Sequence, residues 1–232
     1  MARRAKEPPS GRPARSRERF KRRLAVCGGR TTEPEYFELV RDELGLSRTL
    51  SINKAKAGLD PLSLVRQAVK LAKAEKTAAK ADGRDGYASI WAITDCDDFK
   101  CLGKAQQEAK GSGVDLIVSN PCFEAWLIDH VQVCPDSCAS TADCQKFARQ
   151  KGVVSATSHD RKSADRAKAV ETGLVSGRME QAVENAAKHN TPAKRAVREQ
   201  NPDRIPNYAV WTDMESVMQT LLTDSRQNRQ QT

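Results

Sequence analysis

The chain has 232 residues, of which 38% are hydrophobic and 5% aromatic, so it can form one sizeable α/β domain with a core mainly of Leu, Val, Ile and Ala. It contains no run of about 18 apolar residues, and its basic N-terminus has no apolar stretch, so we expect neither a membrane span nor a secretory signal. Seven cysteines, an odd number, fit a reducing cytoplasm better than a disulfide framework.

The net charge of +9 is concentrated at the N-terminus, because residues 1–23 carry ten Lys and Arg against two Glu and so contribute +8. Three prolines and a glycine between residues 8 and 13 indicate that residues 1–22 form a disordered basic arm. Such an arm could contact a phosphate backbone, and Lys21, Arg22 and Arg23 are the candidate nucleic-acid-binding residues next to the folded part. A solubilising tail is the alternative interpretation.

Strand and helix patterns alternate after the arm. Residues 24–27 are a short apolar run that ends at a Gly28-Gly29 turn. Thr32 and Glu35 then fit a capping box for a helix that continues to about residue 44. The other predicted elements are strands at residues 49–53, 87–94 and 115–119, a helix capped by Asp60 that runs to about residue 81, a helix at residues 102–109, and a helix that begins at residues 120–121.

Three acidic residues, Asp95, Asp97 and Asp98, directly follow the third predicted strand. Asp95 and Asp97 are two residues apart, so in an extended chain both side chains point to one face and can hold one divalent cation. A solvated turn is the alternative, and for Asp98 a helix cap. The alternating pattern predicts an open, mostly parallel sheet flanked by helices, in which Gly28, Asp95 and Asn120 meet at the carboxyl edge.

The pattern changes after residue 130. We predict that residues 131–222 form a helical and irregular region that packs on a core made by residues 23–130. Within it, the sequence predicts irregular chain to residue 163, helical segments over residues 164–188, a proline-punctuated linker over residues 191–207, a last helix over residues 212–222, and a polar tail at residues 223–232.

Three segments resemble a known family. Residues 27–37 (CGGRTTEPEYF), 94–99 (TDCDDF) and 119–130 (SNPCFEAWLIDH) are similar in order and spacing to the RloB-like proteins, and the likeness extends over roughly residues 20–222. These bacterial proteins are often encoded beside restriction–modification or ATPase genes and are linked to phage defence. The family in turn resembles the Toprim fold, in which a glutamate after the first strand and a later Asp-x-Asp pair bind Mg²⁺ for phosphoryl transfer.

The resemblance implies a set of site residues. By position, Asp95 and Asp97 are similar to the Asp-x-Asp pair, while Glu33 and Glu124 are similar to further family acids. These four are candidate ligands of Mg²⁺ or Mn²⁺, and together with His130 they are the candidate catalytic residues. The chain departs from the family at Gly28, where the family usually has the Toprim glutamate.

Each of these candidates also has a structural interpretation. Glu33 suits the positive end of a helix dipole, and Glu124 suits a solvated first turn. His130 lies on an apolar helix face, where a buried histidine of the core is the commoner case. Arg30, beside the glycine turn, is a candidate phosphate contact.

The cysteines suggest a second metal. His130, Cys134, Cys138 and Cys144 supply four soft ligands within fifteen residues, which could bind Zn²⁺. The spacing is not that of a usual zinc knuckle, so reduced thiols in a loop are the favoured interpretation.

Two hypotheses follow for the function. In the first, the chain is a Mg²⁺-dependent nuclease or phosphoryl-transfer effector that acts on DNA or RNA in phage defence. In the second, it is a catalytically weakened module that binds nucleic acid or a partner, with an ATPase encoded nearby as the candidate partner. The intact Asp95 and Asp97 favour the first hypothesis, and Gly28 favours the second.

Overall fold

A five-stranded sheet with the order β2-β1-β3-β4-β5 forms the centre of the protein. The structure is a computed structural model that describes residues 20–54, 59–155 and 169–230. The first four strands are parallel, and the short fifth strand is antiparallel to β4. The strands are β1 (Arg22–Cys27), β2 (Leu50–Lys54), β3 (Tyr87–Asp95), β4 (Asp115–Asn120) and β5 (Trp211–Thr212). The predicted fold class is therefore confirmed.

Helices cover both faces of this sheet. In chain order the α-helices of the described residues are α1 (Thr32–Glu43), α2 (Pro61–Ala81), α3 (Leu102–Lys110), α4 (Glu124–Asp129), α5 (Thr141–Lys151), α6 (Thr172–Val175), α7 (Met179–His189), α8 (Pro192–Gln200) and α9 (Met214–Gln230). None of these helices has the length and apolarity that crossing a membrane requires.

The core consists of two apolar layers, one on each face of the sheet. Ala25 and Ile93 point to the layer that contains side chains of α1, α4, α7 and α9. Val26 and Ala92 point to the layer formed with α2 and α3. The inner strands β1, β3 and β4 contain continuous buried apolar runs because both faces of the sheet are covered, whereas the edge strand β2 is only partly buried.

A buried ion pair connects the first strand to the last helix. Arg23 donates from Nε and Nη2 to the two carboxylate oxygens of Asp224, at 2.9 and 3.1 Å, and from Nη1 to Ser89 Oγ at 2.6 Å. The last helix, predicted to end near residue 222, thus continues through most of the expected polar tail. The two members of the pair are 201 positions apart in the sequence, which is why neither one stood out as structural.

The helix starts were predicted with mixed success. Asp60 caps α2 as predicted, because its carboxylate accepts the backbone N–H groups of Leu62 and Ser63. The capping box at Thr32 is wrong: the helix already includes Thr32, and Thr31, one residue earlier, is the N-cap without a side-chain cap bond. The structure also contains α5 and α8, where the sequence analysis expected irregular chain and a linker.

Candidate metal centre at the carboxyl edge of the sheet

Asp95 is the last residue of β3 and lies at the carboxyl edge between β1 and β4. The residue is partly exposed, but its Oδ1 atom is buried and has no hydrogen-bond partner among the described residues. Burial raises the pKa of Asp95 well above its usual range, and the charges of Glu33, Glu124 and Asp97 raise it further, whereas the backbone N–H of Phe123 lowers it. The site therefore places a poorly satisfied carboxyl group among other acids.

Glu33 reaches the same edge from the first turn of α1. It is buried, and its Oε1 atom accepts the backbone N–H of Gly29 at 3.1 Å. This contact requires a glycine at position 29, because a Cβ atom at Gly29 would lie 1.9 Å from Oε2 of Glu33. Glu33 thus places its carboxylate directly after β1, beside the glycine turn.

Glu124 approaches from the next strand along the sheet. It is the first residue of α4, four residues after β4 ends, and it is buried. The backbone of this connection also pairs with the end of β3, since Ser119 and Pro121 accept the N–H groups of Cys96 and Asp97 at 2.9 and 3.2 Å. Three separate strand ends therefore bring Glu33, Asp95 and Glu124 together.

Asp97 does not lie as the sequence suggested. The strand ends at Asp95, so the extended geometry that would have put both aspartates on one face stops before Asp97. Asp97 is exposed in a turn with a φ of 38°, a conformation that Asp tolerates better than most residues. Its Oδ1 atom accepts the hydroxyl of Thr141 at 3.0 Å, so it holds α5 against the site. Its neighbour Asp98 is also exposed.

His130 lies in the apolar core beside α1. Its Nε2 atom is 3.3 Å from the hydroxyl of Tyr36, and its Nδ1 atom is 3.1 Å from the carbonyl oxygen of Trp126. Burial lowers its pKa to about 4, so the ring is neutral at pH 7. Both ring nitrogens are thus used inside the core, and we do not include His130 in the metal centre.

The basic candidates have different surroundings. Arg23 is in the buried pair with Asp224, and Arg22 pairs with Glu75 and stacks on the ring of Tyr87. Lys21 and Arg30 are exposed. Arg30 follows the glycine turn directly and is the basic candidate next to the acidic edge. Of the predicted arm at residues 1–22, residues 1–19 lie outside the described residues, and the prediction is wrong for Arg22, which is the first residue of β1.

The donor set fits a divalent cation. A buried carboxylate oxygen without a hydrogen bond is costly, and so are like charges placed side by side. A cation bound by Asp95, Glu33 and Glu124 would offset both costs, and Mg²⁺ needs only one or two protein carboxylates when water and phosphate supply the rest. These carboxylates do not form a tight group: within the described residues, three candidate ligand atoms come within 4.8 Å of one another only at Cys134, Cys138 and Cys144.

A separate cavity of about 710 Å³ opens at the opposite edge of the sheet, where β4 begins. Arg198 and Asp213 line it, but they form an ion pair of 2.7 Å with each other. Nε of Arg198 is also buried without a hydrogen-bond partner among the described residues, but the carboxyl edge combines an unsatisfied acid with the nearby charges of Glu33 and Glu124 and is therefore the better candidate site.

Three residues of this site were not predicted from the sequence: Thr141, Phe123 and Gly29. Thr141 is 44 residues from its partner Asp97 and lies in a helix that was not predicted, so no local signal could have shown it. Phe123 contributes only a backbone N–H group, which the residue type does not reveal.

Taken together, the fold and the site define an α/β protein with an acidic centre at the carboxyl edge of a mostly parallel sheet. The chain belongs to the RloB-like family, because the family model described as RloB-like protein matches residues 24–221. No curated protein and no solved structure matches the chain.

Proposed function

We propose that this protein is a divalent-metal-dependent nuclease or phosphoryl-transfer effector that acts on nucleic acid. The observation that carries the proposal is the Asp95 carboxyl, with one buried oxygen unsatisfied and with Glu33 and Glu124 beside it. A phosphate group would be repelled by this cluster unless a cation lay between them. Phosphodiester chemistry uses both a bound cation and a phosphate group next to it, so it is the reaction that fits this cluster of acids.

The residues have distinct parts in the proposed reaction. Bound Mg²⁺ or Mn²⁺ would polarise a phosphoryl oxygen and lower the pKa of a bound water molecule. Asp95 would hold the ion, and Glu33 and Glu124 would help to hold it or would accept a proton. Asp97 holds α5 in place through Thr141 and is close enough to raise the pKa of Asp95. Arg30 is positioned to contact the phosphate backbone.

The proposal is tested by incubating the protein with single- and double-stranded DNA and RNA in Mg²⁺ or Mn²⁺. We expect cleavage by the wild type and by Asp98→Ala, which removes an exposed acid of the same turn. The double variant Asp95→Ala/Asp97→Ala should lose the activity. Cleavage that persists in the double variant would contradict the assignment of the site.

Gly29→Ala tests how Glu33 is positioned. The new Cβ atom would overlap the Glu33 carboxylate, which lies at the end of a flexible side chain and can move away without unfolding the protein. We expect Mn²⁺ to bind about 10–100-fold more weakly, as is typical when a supporting contact of a metal ligand is lost. Isothermal titration calorimetry measures this directly.

Gly86→Ala is the matched control, because no atom lies within 4 Å of the Cβ position there and its effect reports only the change of residue type. Equal Mn²⁺ affinity in the two variants would show that Glu33 does not contribute to the site.

One observation favours a second function, a binding module without cleavage. A Cβ atom at Gly28, where the resemblance implies that the family usually has a glutamate, would lie 3.0 Å from the carbonyl oxygen of Ile93, so the backbone leaves little room for a larger residue. If wild-type protein binds nucleic acid in the same assay but cleaves none of the four substrates, this second function replaces the first. A role in phage defence, beside an ATPase, belongs to both proposals.

A further inference from the structure

Three buried cysteines form a close group, and a fourth, Cys122, lies beside one of its members. The sulfur atoms of Cys134, Cys138 and Cys144 all lie within 4.8 Å of one another. The thiol of Cys122 is within hydrogen-bonding reach of the thiol of Cys144. All four side chains are at most 1% exposed, and none is in a disulfide.

We propose that Cys122, Cys134, Cys138 and Cys144 form a structural zinc site. In a tetrahedral Zn²⁺ site with four thiolate ligands, neighbouring sulfur atoms are about 3.8 Å apart, so Cys134, Cys138 and Cys144 need only small movements to bind the ion. Cys122, next to Cys144, would complete the set by turning its thiol toward the other three. Four cysteine ligands without an open position are typical of structural zinc and not of catalytic zinc.

The fourth ligand is Cys122 and not His130. Both ring nitrogens of His130 are engaged by Tyr36 and by the Trp126 carbonyl group, away from the thiols. Asp129 is not available either, because its carboxylate accepts the N–H of Cys134 at 3.0 Å and bonds to His189 at 2.8 Å. Asp129 instead orients the backbone at Cys134, as a residue behind a metal ligand commonly does.

The local chain explains why an ion would be needed. Between α4 and α5 the described regular structure is a single turn of 3-10 helix, Asp136–Cys138. Packing of small thiols in this segment would contribute little, whereas a metal site holds irregular chain together strongly. The four ligands come from the end of β4, this connection and the first turn of α5.

The zinc site would also support the acidic centre. Cys122 is two residues before Glu124, and the two side chains are within hydrogen-bonding reach. Cys144 is on α5, whose first residue, Thr141, binds Asp97. Loss of zinc should therefore loosen two acids of the candidate site together, although the zinc site itself does not depend on the proposed activity.

Metal analysis of full-length protein, purified with reductant and without chelator, is the first test. We expect about one zinc ion per chain in the wild type, and loss of the ion in Cys134→Ser and Cys144→Ser. Cys96→Ser is the matched control, because Cys96 is equally buried but lies in the opposite core layer. Wild-type protein that is folded yet takes up no zinc from an equimolar solution would overturn the proposal, as would a disulfide within the group found by mass spectrometry.

Cobalt substitution keeps the test decisive if the serine variants fail to fold. Co²⁺ bound by four thiolates gives intense visible absorption whose position depends on the number of sulfur ligands. We expect this spectrum in the wild type and a shifted one in Cys122→Ser, which should bind zinc at least about 100-fold more weakly. An unchanged spectrum in Cys122→Ser would exclude Cys122 as a ligand. None of these readouts uses nucleic acid, so cleavage and zinc binding can fail independently.

Discussion

Asp95→Asn is expected to raise the melting temperature of the metal-free protein at neutral pH and to abolish its stabilisation by Mg²⁺ or Mn²⁺. The buried Oδ1 atom has no hydrogen bond, and nearby acids disfavour its ionised form. An uncharged amide of the same shape removes the burial of a charge and the repulsion from Glu33, Glu124 and Asp97, so we expect a gain of about 1–3 kcal/mol at neutral pH. Functional sites commonly sacrifice stability in this way.

The difference in melting temperature between Asp95→Asn and the wild type should depend on pH. Because folding raises the pKa of Asp95, the protonated side chain favours the folded state. That contribution is complete below the pKa of the unfolded chain, about 3.9, and is lost as the pH rises through the higher pKa of the folded state. Wild type and Asp95→Asn should therefore melt at similar temperatures in acid and diverge as the pH rises.

Thermal unfolding between acidic and neutral pH, with and without Mn²⁺, measures both effects. Asp98→Asn is the matched control, because it removes an exposed carboxylate from the same turn and should change neither quantity. If Asp95→Asn melts below the wild type at neutral pH without metal, the carboxyl group is better satisfied than the structure indicates.

Asp224→Ala is expected to cause the largest loss of stability, about 3–5 kcal/mol, because it leaves the guanidinium of Arg23 buried without its partner. For a chain of this size the melting temperature should fall by about 10 °C. Denaturant unfolding followed by circular dichroism measures the free energy directly.

The exposed pair Arg226–Glu180 is the natural comparison, since both side chains are 67% exposed. Glu180→Ala should cost less than about 1 kcal/mol. The double variant Arg23→Met/Asp224→Leu replaces the pair by apolar groups and should recover much of the loss. Similar small losses in Asp224→Ala and Glu180→Ala would mean that the buried pair does not connect β1 to α9 as described.

Local sequence signals predicted the sheet well. The apolar strand that ends at Asp95 and the Asp60–Pro61 helix start each depend on residues next to one another, and both are present in the structure. Equally local signals went unused for two helices. Ser140 caps α5, Gly152 ends it with a φ of 72°, and Thr191 caps α8 before Pro192.

The sequence indicated which acids are candidates for the site, but it did not predict how they are arranged. The alternation rule placed Asp95 and Asp97 on one face, and it failed because the strand ends between them. The position of Glu33 could not be derived either, because it depends on a backbone N–H group at Gly29 and on the absence of a Cβ atom there. His130 was predicted as a catalytic candidate with a core histidine as the alternative, and its contacts with Tyr36 and Trp126 match the alternative.

The other features that could not be predicted from the sequence depend on contacts between distant residues. The Arg23–Asp224 pair spans 201 positions, and Cys122 joins a cysteine group that begins twelve residues later. Such contacts form only after the chain has folded, and a single sequence carries no local pattern for them.

The Arg23–Asp224 pair also determines where this chain can be cut for experiments. The family match covers residues 24–221, so an expression fragment trimmed to those limits would lack both members of the pair. It would also lack Ser225, whose hydroxyl donates to the carbonyl oxygen of Leu44 at 2.7 Å and fixes the end of α1. A fragment that retains the Arg23–Asp224 pair and the hydrogen bond from Ser225 to Leu44 should therefore start before Arg23 and extend beyond Ser225.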